Sequence, residues 1–300
     1  MYEIKSGTEH GKYIVSPSTV GLYLNGRTEE GKTRGWLIDT GNDKDAGKKI
    51  IRSLEGGGIE LQGIFLTHHH ADHAGGCRML QNRLGAPAYA RGMESCIAEN
   101  PVMETMLLYG GDPPKELRHK FLMAQACACS DLAKHEDALP EGLEMIPLPG
   151  HSPDMAGFRT DDGCVYLADC VADEAMLEKH KMWVVYNVED FLATLKKVRE
   201  MEAEIFIPAH AGPAEDIKEL ADLNIEAAHD CADMIERLIR DPLCCDELIR
   251  AVFEEIKMEF SIPQYILIGS TVRAYLTFLE KNGRAVQETD GGLAVWKAIS

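Results

Sequence analysis

Seven side chains in this sequence have the types and the setting to hold metal. His68, His70, Asp72 and His73 lie in the run Thr67-His68-His69-His70-Ala71-Asp72-His73, and His151, Asp169 and His210 follow at long intervals. Imidazole and carboxylate each offer a donor atom at neutral pH without a redox liability. His68 and His70 sit two apart on an extended stretch, so both can point one way. Asp72 and His73 lie just past them, within reach of a second ion. Shared between two ions, the set gives three or four protein ligands each and leaves room for a water. Two divalent ions outweigh two carboxylates and a bridging hydroxide, and the positive charge left over suits a developing oxyanion. The expected chemistry is hydrolysis of an ester, thioester, lactone or phosphodiester. In it Asp72 orients the hydroxide and accepts its proton.

Such residues need strand ends to aim them, and the flanking sequence supplies these. Ile64-Phe65-Leu66 reads as the end of a buried strand over Leu61–Leu66, with a helix from His73 to Leu84 after the turn. Trp36-Leu37-Ile38 predicts a strand ending in Asp39-Thr40-Gly41, followed by a helix from Asp45 that Gly56-Gly57-Gly58 stops. Met145–Leu148 ends in Pro149-Gly150-His151, Cys164–Ala168 runs into Asp169, and Ile205-Phe206-Ile207 ends in Pro208-Ala209-His210. Polar clusters at the carboxyl ends of strands are where α/β proteins place chemistry. Strands and helices alternate twice over, which predicts two sheets face to face with helices outside. Asp39 and Thr67 are candidates for fixing the histidine rings from behind. Cys170, beside Asp169, reads as a buried thiol.

Composition bounds the partners. Apolar residues make up 45% of the 300, which suits a packed chain of one large domain, or one large and one small. The formal charge of -18 repels phosphate backbones over most of the surface. No apolar run is long enough to span a bilayer, and the first residues lack the basic and apolar regions of an export signal. The expectation is therefore a cytoplasmic protein. Nine cysteines at irregular spacing predict reduced, mostly buried thiols, not a disulfide framework.

Two stretches stand apart. Residues 91–140 predict a helical insertion. One segment carries Met103, Met106, Leu107 and Leu108, and a second carries Leu117, Phe121, Leu122 and Met123, on either side of Tyr109-Gly-Gly-Asp-Pro-Pro. It reads either as a helical hairpin packed on the core or as a lid whose apolar side, with its adaptable Met side chains, lines a substrate pocket. After Pro213 the strand signals stop. A long helix over Ala214–Arg240, with Ile217, Leu220, Leu223, Ala227 and Cys231 inward, precedes two more over Asp246–Ile256 and Gln264–Lys281. A hairpin around Thr289-Asp290-Gly291-Gly292 then closes the chain. Helices followed by a hairpin suggest a winged-helix-like module. Arg273 and Lys281, offset by Glu280, Glu288 and Asp290, do not make the basic stripe of a DNA reader, so packing or dimerisation is the expected role.

With these residues laid out, His68-X-His70-X-Asp72-His73, Gly150-His151, Asp169 and His210 resemble the metallo-β-lactamase-fold superfamily of binuclear hydrolases. Asp39-Thr40-Gly41 matches its early Asp motif. The resemblance runs from about residue 14 to 213. It implies a four-layer αββα sandwich over residues 1–213. It also implies two zinc ions, with iron or manganese as alternatives. His68, His70 and His151 would hold the first, Asp72, His73 and His210 the second, with Asp169 bridging. Residues 214–300 resemble the tail of the lactamase-β-2-like subgroup, which includes a single-strand ribonuclease. Glyoxalase II shares the metal set but has a different tail and basic glutathione-binding residues not found here.

The leading expectation is a binuclear hydrolase of a small, partly apolar ester, thioester or lactone. Its rivals are a single-strand endoribonuclease, a mononuclear iron dioxygenase of a sulfur compound, and a non-enzymatic regulator with a structural metal.

Overall fold

Period-two alternation along the strands builds the layers. In the computed structural model, which describes residues 1–299, Trp36, Ile38 and Phe65 point to one side of their sheet while Leu37, Ile64 and Leu66 point to the other. That sheet has seven strands in sequential order: β1 (Glu3–Ser6), β2 (Gly11–Val15), β3 (Val20–Arg27), β4 (Thr33–Ile38), β5 (Ile59–Leu66), β6 (Ala88–Ala90) and β7 (Ser130–Asp131). A second sheet holds β8 (Leu143–Pro147), β9 (Ala156–Thr160), β10 (Cys164–Ala172) and β11 (Ile205–His210). The sheets meet through Tyr23, Trp36 and Phe65 on one and Phe158, Tyr166 and Ile207 on the other, with the Phe65 and Phe158 rings 5.5 Å apart.

Helices cover both outer faces. On the first sheet lie α1 (Lys44–Gly56), whose amino end is capped by the Asp43 side chain, a single turn α2 (Ala71–Ala74) and α3 (Cys77–Leu84). Ile50, Leu54 and Leu80 pack on Leu37 and Ile64. The insertion adds α4 (Met93–Glu99) and α5 (Val102–Tyr109). On the second sheet lie α7 (Val188–Arg199) and the long α8 (Lys218–Leu238); α6 (Glu174–His180), with no buried residue, follows β10. Beyond them come a short β12 (Leu243–Cys244), α9 (Cys245–Ile256), α10 (Ile262–Lys281) and the hairpin β13 (Ala285–Asp290) and β14 (Leu293–Ala298). These last helices share one continuous apolar cluster with β10, β11 and α7.

Strands β4 to β7 run parallel, as do β10 and β11. Their carboxyl ends therefore open onto one edge. Two glycine positions let the chain close up there. A Cβ on Gly76 would lie 2.2 Å from the Thr40 carbonyl oxygen, so the loops after β4 and β5 touch only because Gly76 has none. Gly150 has φ +127°, and a Cβ there would lie 2.3 Å from the backbone of Phe191 on α7.

Several expectations need correcting. The helix expected over His73–Leu84 is broken at Gly75-Gly76, where the loops cross. The second insertion helix does not form. Only a 3₁₀ turn, Lys115–Leu117, is present, and the inward residues Leu117 and Leu122 are five apart, off the helical period. Ser130–Asp131 joins the sheet instead, in a stretch too short to show alternation. On α8 the buried face is Ala221, Asn224, Ala228, Ala232 and Ile235, one step round from the face expected; Leu220 and Cys231 pack beside it. Strands β1 and β2, half exposed, carry no clear signal in the sequence. The nine cysteines are all free, five of them buried, and among the described residues no helix is long and apolar enough to cross a membrane.

Asn224 is polar in an apolar seam because β10 ends there. It accepts from Ala172 N at 3.0 Å and donates to Ala172 O at 2.8 Å. Asn224→Ala should lower stability by about 1–3 kcal/mol, since it strands two buried backbone groups. His229→Ala, on the exposed face of the same helix, should change it by less than about 0.5 kcal/mol. Chemical denaturation curves of the two variants check this.

Candidate metal centre

All seven anticipated side chains arrive at the open edge. His68 and His70 extend β5, Asp72 and His73 ride on the single turn α2, and His151 sits in the loop between β8 and β9. Asp169 lies inside β10 and His210 ends β11. Asp169 is aimed by a local irregularity: Ala168 has φ +51°, and the pairing of β10 with β11 shifts register on both sides of it.

The donor atoms form two groups. In the first, His70 Nδ1 lies 3.0 Å from His151 Nε2, Asp169 Oδ2 lies 3.4 Å from His151 Nε2, and His68 Nε2 lies 3.9 Å from Asp169 Oδ2. In the second, His73 Nε2 lies 3.0 Å from Asp169 Oδ1, and His210 Nε2 lies 3.2 Å from both Asp72 Oδ2 and Asp169 Oδ2. Metal bonds of about 2.0–2.1 Å at tetrahedral angles place neighbouring donors roughly 3.4 Å apart. The pairs above, at 3.0–3.9 Å, bracket this value, the donors of each group all lie within 4.8 Å of one another, and Asp169 belongs to both.

Hydrogen bonding does not account for the arrangement. His68 Nε2 and Asp169 Oδ1 are buried without any hydrogen-bond partner, although His73 Nε2 is close to the latter. Unpartnered buried polar atoms of this kind call for an explanation, and a cation supplies one. The charge balance agrees. Burial, joined by neighbouring imidazoles, pushes His68 well below its ordinary pKa and His151 down to about 4, toward the neutral form that carries a free lone pair. Burial opposes charge at His73 and His210 as well. There Asp169 and Asp72 prevail, raising His73 well above its usual value and His210 to about 10. Burial would lift the carboxyls of Asp169 and Asp72, yet the surrounding histidines hold both well below the usual range. The second group is a place that demands positive charge.

Outer contacts fix the rings. Asp39 Oδ2 lies 2.8 Å from His73 Nδ1, and the same carboxylate accepts from Thr67 N and Thr67 Oγ1, each at 2.8 Å. Thr67 Oγ1 lies 3.0 Å from His68 Nδ1. Asp39 reaches this position with φ +68°, in the left-handed region. Asp39 and Thr67 thus lie against the outer nitrogens of His73 and His68. Other supports have no sequence signature: His151 Nδ1 donates to the Val184 carbonyl at 2.7 Å, and Trp183 Nε1 donates to the Asp169 carbonyl at 3.2 Å. His69, between two members of the cluster, is turned away from it. Burial disfavours charge on its ring, yet Glu104 and Glu94 raise it to about 10. Cys170 is buried and its thiol is pushed above its ordinary range, in keeping with an inert side chain.

A cavity of about 420 Å³ opens onto the cluster. Asp72, His210 and Trp183 face Phe121 and Leu122 of the insertion and Leu267 of α10 across it. The Met-lined lid expected from sequence is corrected here: Met103 and Met106 are exposed to solvent, and the insertion's apolar contribution comes from the irregular stretch after Leu117.

Comparison with known proteins agrees with this geometry. The sequence pattern of the family described as "Metallo-beta-lactamase superfamily" matches residues 28–210. A Bacillus subtilis (strain 168) protein described as "Probable metallo-hydrolase YqjP" is 21% identical over 295 residues, covering 88% of this chain and 90% of that one. Hydroxyacylglutathione hydrolase of Dechloromonas aromatica (strain RCB) is 48% identical over 62 residues, but these span only 21% of this chain and 22% of that protein. The beta-lactamase-like protein 2 homolog of Drosophila melanogaster is 22% identical over 189 residues, 61% of this chain and 57% of that one. The crystal structure of a metallo-beta-lactamase family protein from Thermus thermophilus has TM-score 0.67 at 19% identity and covers 95% of each chain. A beta-lactamase domain protein from Burkholderia ambifaria has TM-score 0.67 at 16% identity, covering 99% of this chain and 94% of that one. With its His and Asp donors gathered at one sheet edge, this chain belongs to the metallo-beta-lactamase superfamily.

Proposed function

We propose that the chain is a metal-dependent hydrolase that cleaves an ester, thioester or lactone with two divalent ions held at the sheet edge. The observation that carries this reading is the position of Asp169, one buried carboxylate common to two donor groups of metal-ligand spacing. His68, His70 and His151 would hold one ion, Asp72, His73 and His210 the other, and Asp169 both. Bound there, divalent cations supply Lewis-acid activation of a water and of the scissile carbonyl.

The remaining work falls to the chain. Asp72 is the carboxylate that meets the cleft, with its side chain 40% exposed against 4% for Asp169. It therefore accepts the proton of the attacking water and orients that water for attack. Asp39, Thr67 and the Val184 carbonyl keep the imidazoles aimed, so no reorganisation is needed during the reaction. Phe121, Leu122, Trp183 and Leu267 give the cleft an apolar wall, which favours a substrate with an apolar portion over a fully charged one. Relatives named as metallo-hydrolases and hydroxyacylglutathione hydrolases are in keeping with this class.

In this reading residues 1–213 carry the chemistry, 91–140 cover the cleft, and 214–300 form a winged-helix-like packing module. The likeness to a beta-lactamase-like protein 2 homolog keeps RNA cleavage as the second reading. The charge of -18 weighs against it, and Arg284, a cation just before the C-terminal hairpin, is already bonded to Asp233 at 2.6 Å. Two donor groups weigh against a mononuclear iron dioxygenase.

Chelator treatment should abolish hydrolysis of short acyl thioesters, and added zinc should restore it with two equivalents per chain. One equivalent of iron with oxygen uptake would instead establish the dioxygenase. Asp72→Asn keeps an oxygen donor and loses the proton acceptor, so kcat should fall about 10²- to 10⁴-fold. Steady-state kinetics check this, and an unchanged kcat would remove Asp72 from the role. Cleavage of unstructured RNA that is lost in the same variant, without thioesterase activity, would favour the ribonuclease.

A further inference from the structure

Each ligand imidazole has a second nitrogen, and what that nitrogen bonds decides the tautomer and the aim of the ring. Thr67 serves His68, Asp39 serves His73 and the Val184 carbonyl serves His151. His70 presents Nδ1 to the cluster, so its Nε2 faces outward. Among the described residues the one carboxylate within 4.0 Å of His70 Nε2 is Glu104, with Oε1 at 3.8 Å. Glu104 lies on α5, inside the insertion.

The carboxylate is held there by an unusual arrangement. Glu104 Oε2 is 2.5 Å from His69 Nε2, and the other ring nitrogen of His69 contacts Glu94 Oε2. Glu94 Oε2 also accepts from the main-chain N of His69 at 3.1 Å. Its second oxygen accepts from Ser152 Oγ at 2.9 Å and Asp154 N at 2.8 Å, in the loop that carries His151. Both carboxylates are largely out of water, with side chains 0% and 12% exposed. Two buried carboxylates are expensive unless they are paired, and an apolar contact would hold a helix more simply. Yet only Thr105 on α5 is fully buried; Val102 and Leu108 are half-buried, and Met106, Leu107 and Tyr109 face solvent. Eight residues are too few for an independent helix. The Glu104–His69 contact is the buried polar link between α5 and the histidine run.

We propose that the insertion is part of the metal centre: Glu104 is the positioning residue for His70, and His69 with Glu94 is the clamp that keeps it in place. The proposal rests on the metal reading above. With Nδ1 engaged by an ion, the ring proton must sit on Nε2, and Glu104 Oε1, 3.8 Å away, is the carboxylate oxygen that faces it, an electrostatic contact longer than a hydrogen bond. The central histidine of the triple run thus acts on its neighbour through a carboxylate that lies 35 residues further along the chain.

The test uses the full chain loaded with cobalt(II), whose visible spectrum reports ligand geometry, together with chelator competition for affinity. Glu104→Gln retains size and one acceptor oxygen; Glu104→Ala removes both. Glu104→Ala should weaken binding of one of the two ions, the one His70 would hold, about 10- to 100-fold and shift the cobalt bands. Glu104→Gln should recover part of both. Met106→Ala, on the solvent face of the same helix, controls for helix packing and should change neither. Near-ultraviolet circular dichroism checks that each variant is folded; if Glu104→Ala is not, the Glu104→Gln shift relative to Met106→Ala decides. A wild-type chain that binds two ions while both Glu104 variants match it in affinity and spectrum overturns this proposal and leaves the hydrolase reading standing. A wild-type chain that binds no ion overturns both.

Discussion

The rest of the structure is arranged around a buried carboxylate shared between two sets of imidazoles. Asp169 Oδ2 lies within 3.4 Å of His151 and His210, and its Oδ1 lies 3.0 Å from His73. Removing an anion from water costs several kcal/mol unless positive charge compensates. The compensation is assembled from β5, α2, the loop before β9, and β11, so these elements must agree in register to within an ångström. Ala168 accepts a left-handed backbone to aim the carboxylate, Trp183 holds its carbonyl, and Asn224 closes the strand end just beyond it.

This requirement explains features that packing alone leaves unexplained. Asp39 sits in a disfavoured backbone region because it must bind both His73 and Thr67. Gly76 and Gly150 stand where two loops, or a loop and a helix, need to approach more closely than any side chain permits. Glu94 joins the His69 and His151 loops, so the two chains of imidazoles are braced against each other. The sandwich supplies the rigid edge, and the polar network at that edge converts rigidity into aim.

Much of this could be read before any coordinates. The alternation in Trp36-Leu37-Ile38 and Ile64-Phe65-Leu66 encodes two faces per strand, and hence a layered fold. His68, His70, His151 and His210 were legible because each follows an apolar strand. Extended geometry also separates His69 from its neighbours by direction. What was not legible has physical reasons. The partners of His69 lie 25 and 35 residues away, on helices whose approach depends on tertiary packing. The Val184 acceptor is a backbone carbonyl, which no side-chain pattern marks. The stretch after Leu117 has helical composition, yet its docking residues fall five apart and the helix does not form. Asn224 took a place on the buried face of α8 because two backbone groups of β10 needed partners there.

Anomalous diffraction from crystals grown with zinc tests directly whether Asp169 is shared between two ions. Two peaks about 3.5–4 Å apart are expected, one among His68, His70 and His151 and one among Asp72, His73 and His210, with Asp169 reaching both. Ions bound elsewhere, or peaks that leave Asp169 uncoordinated, would contradict this sharing.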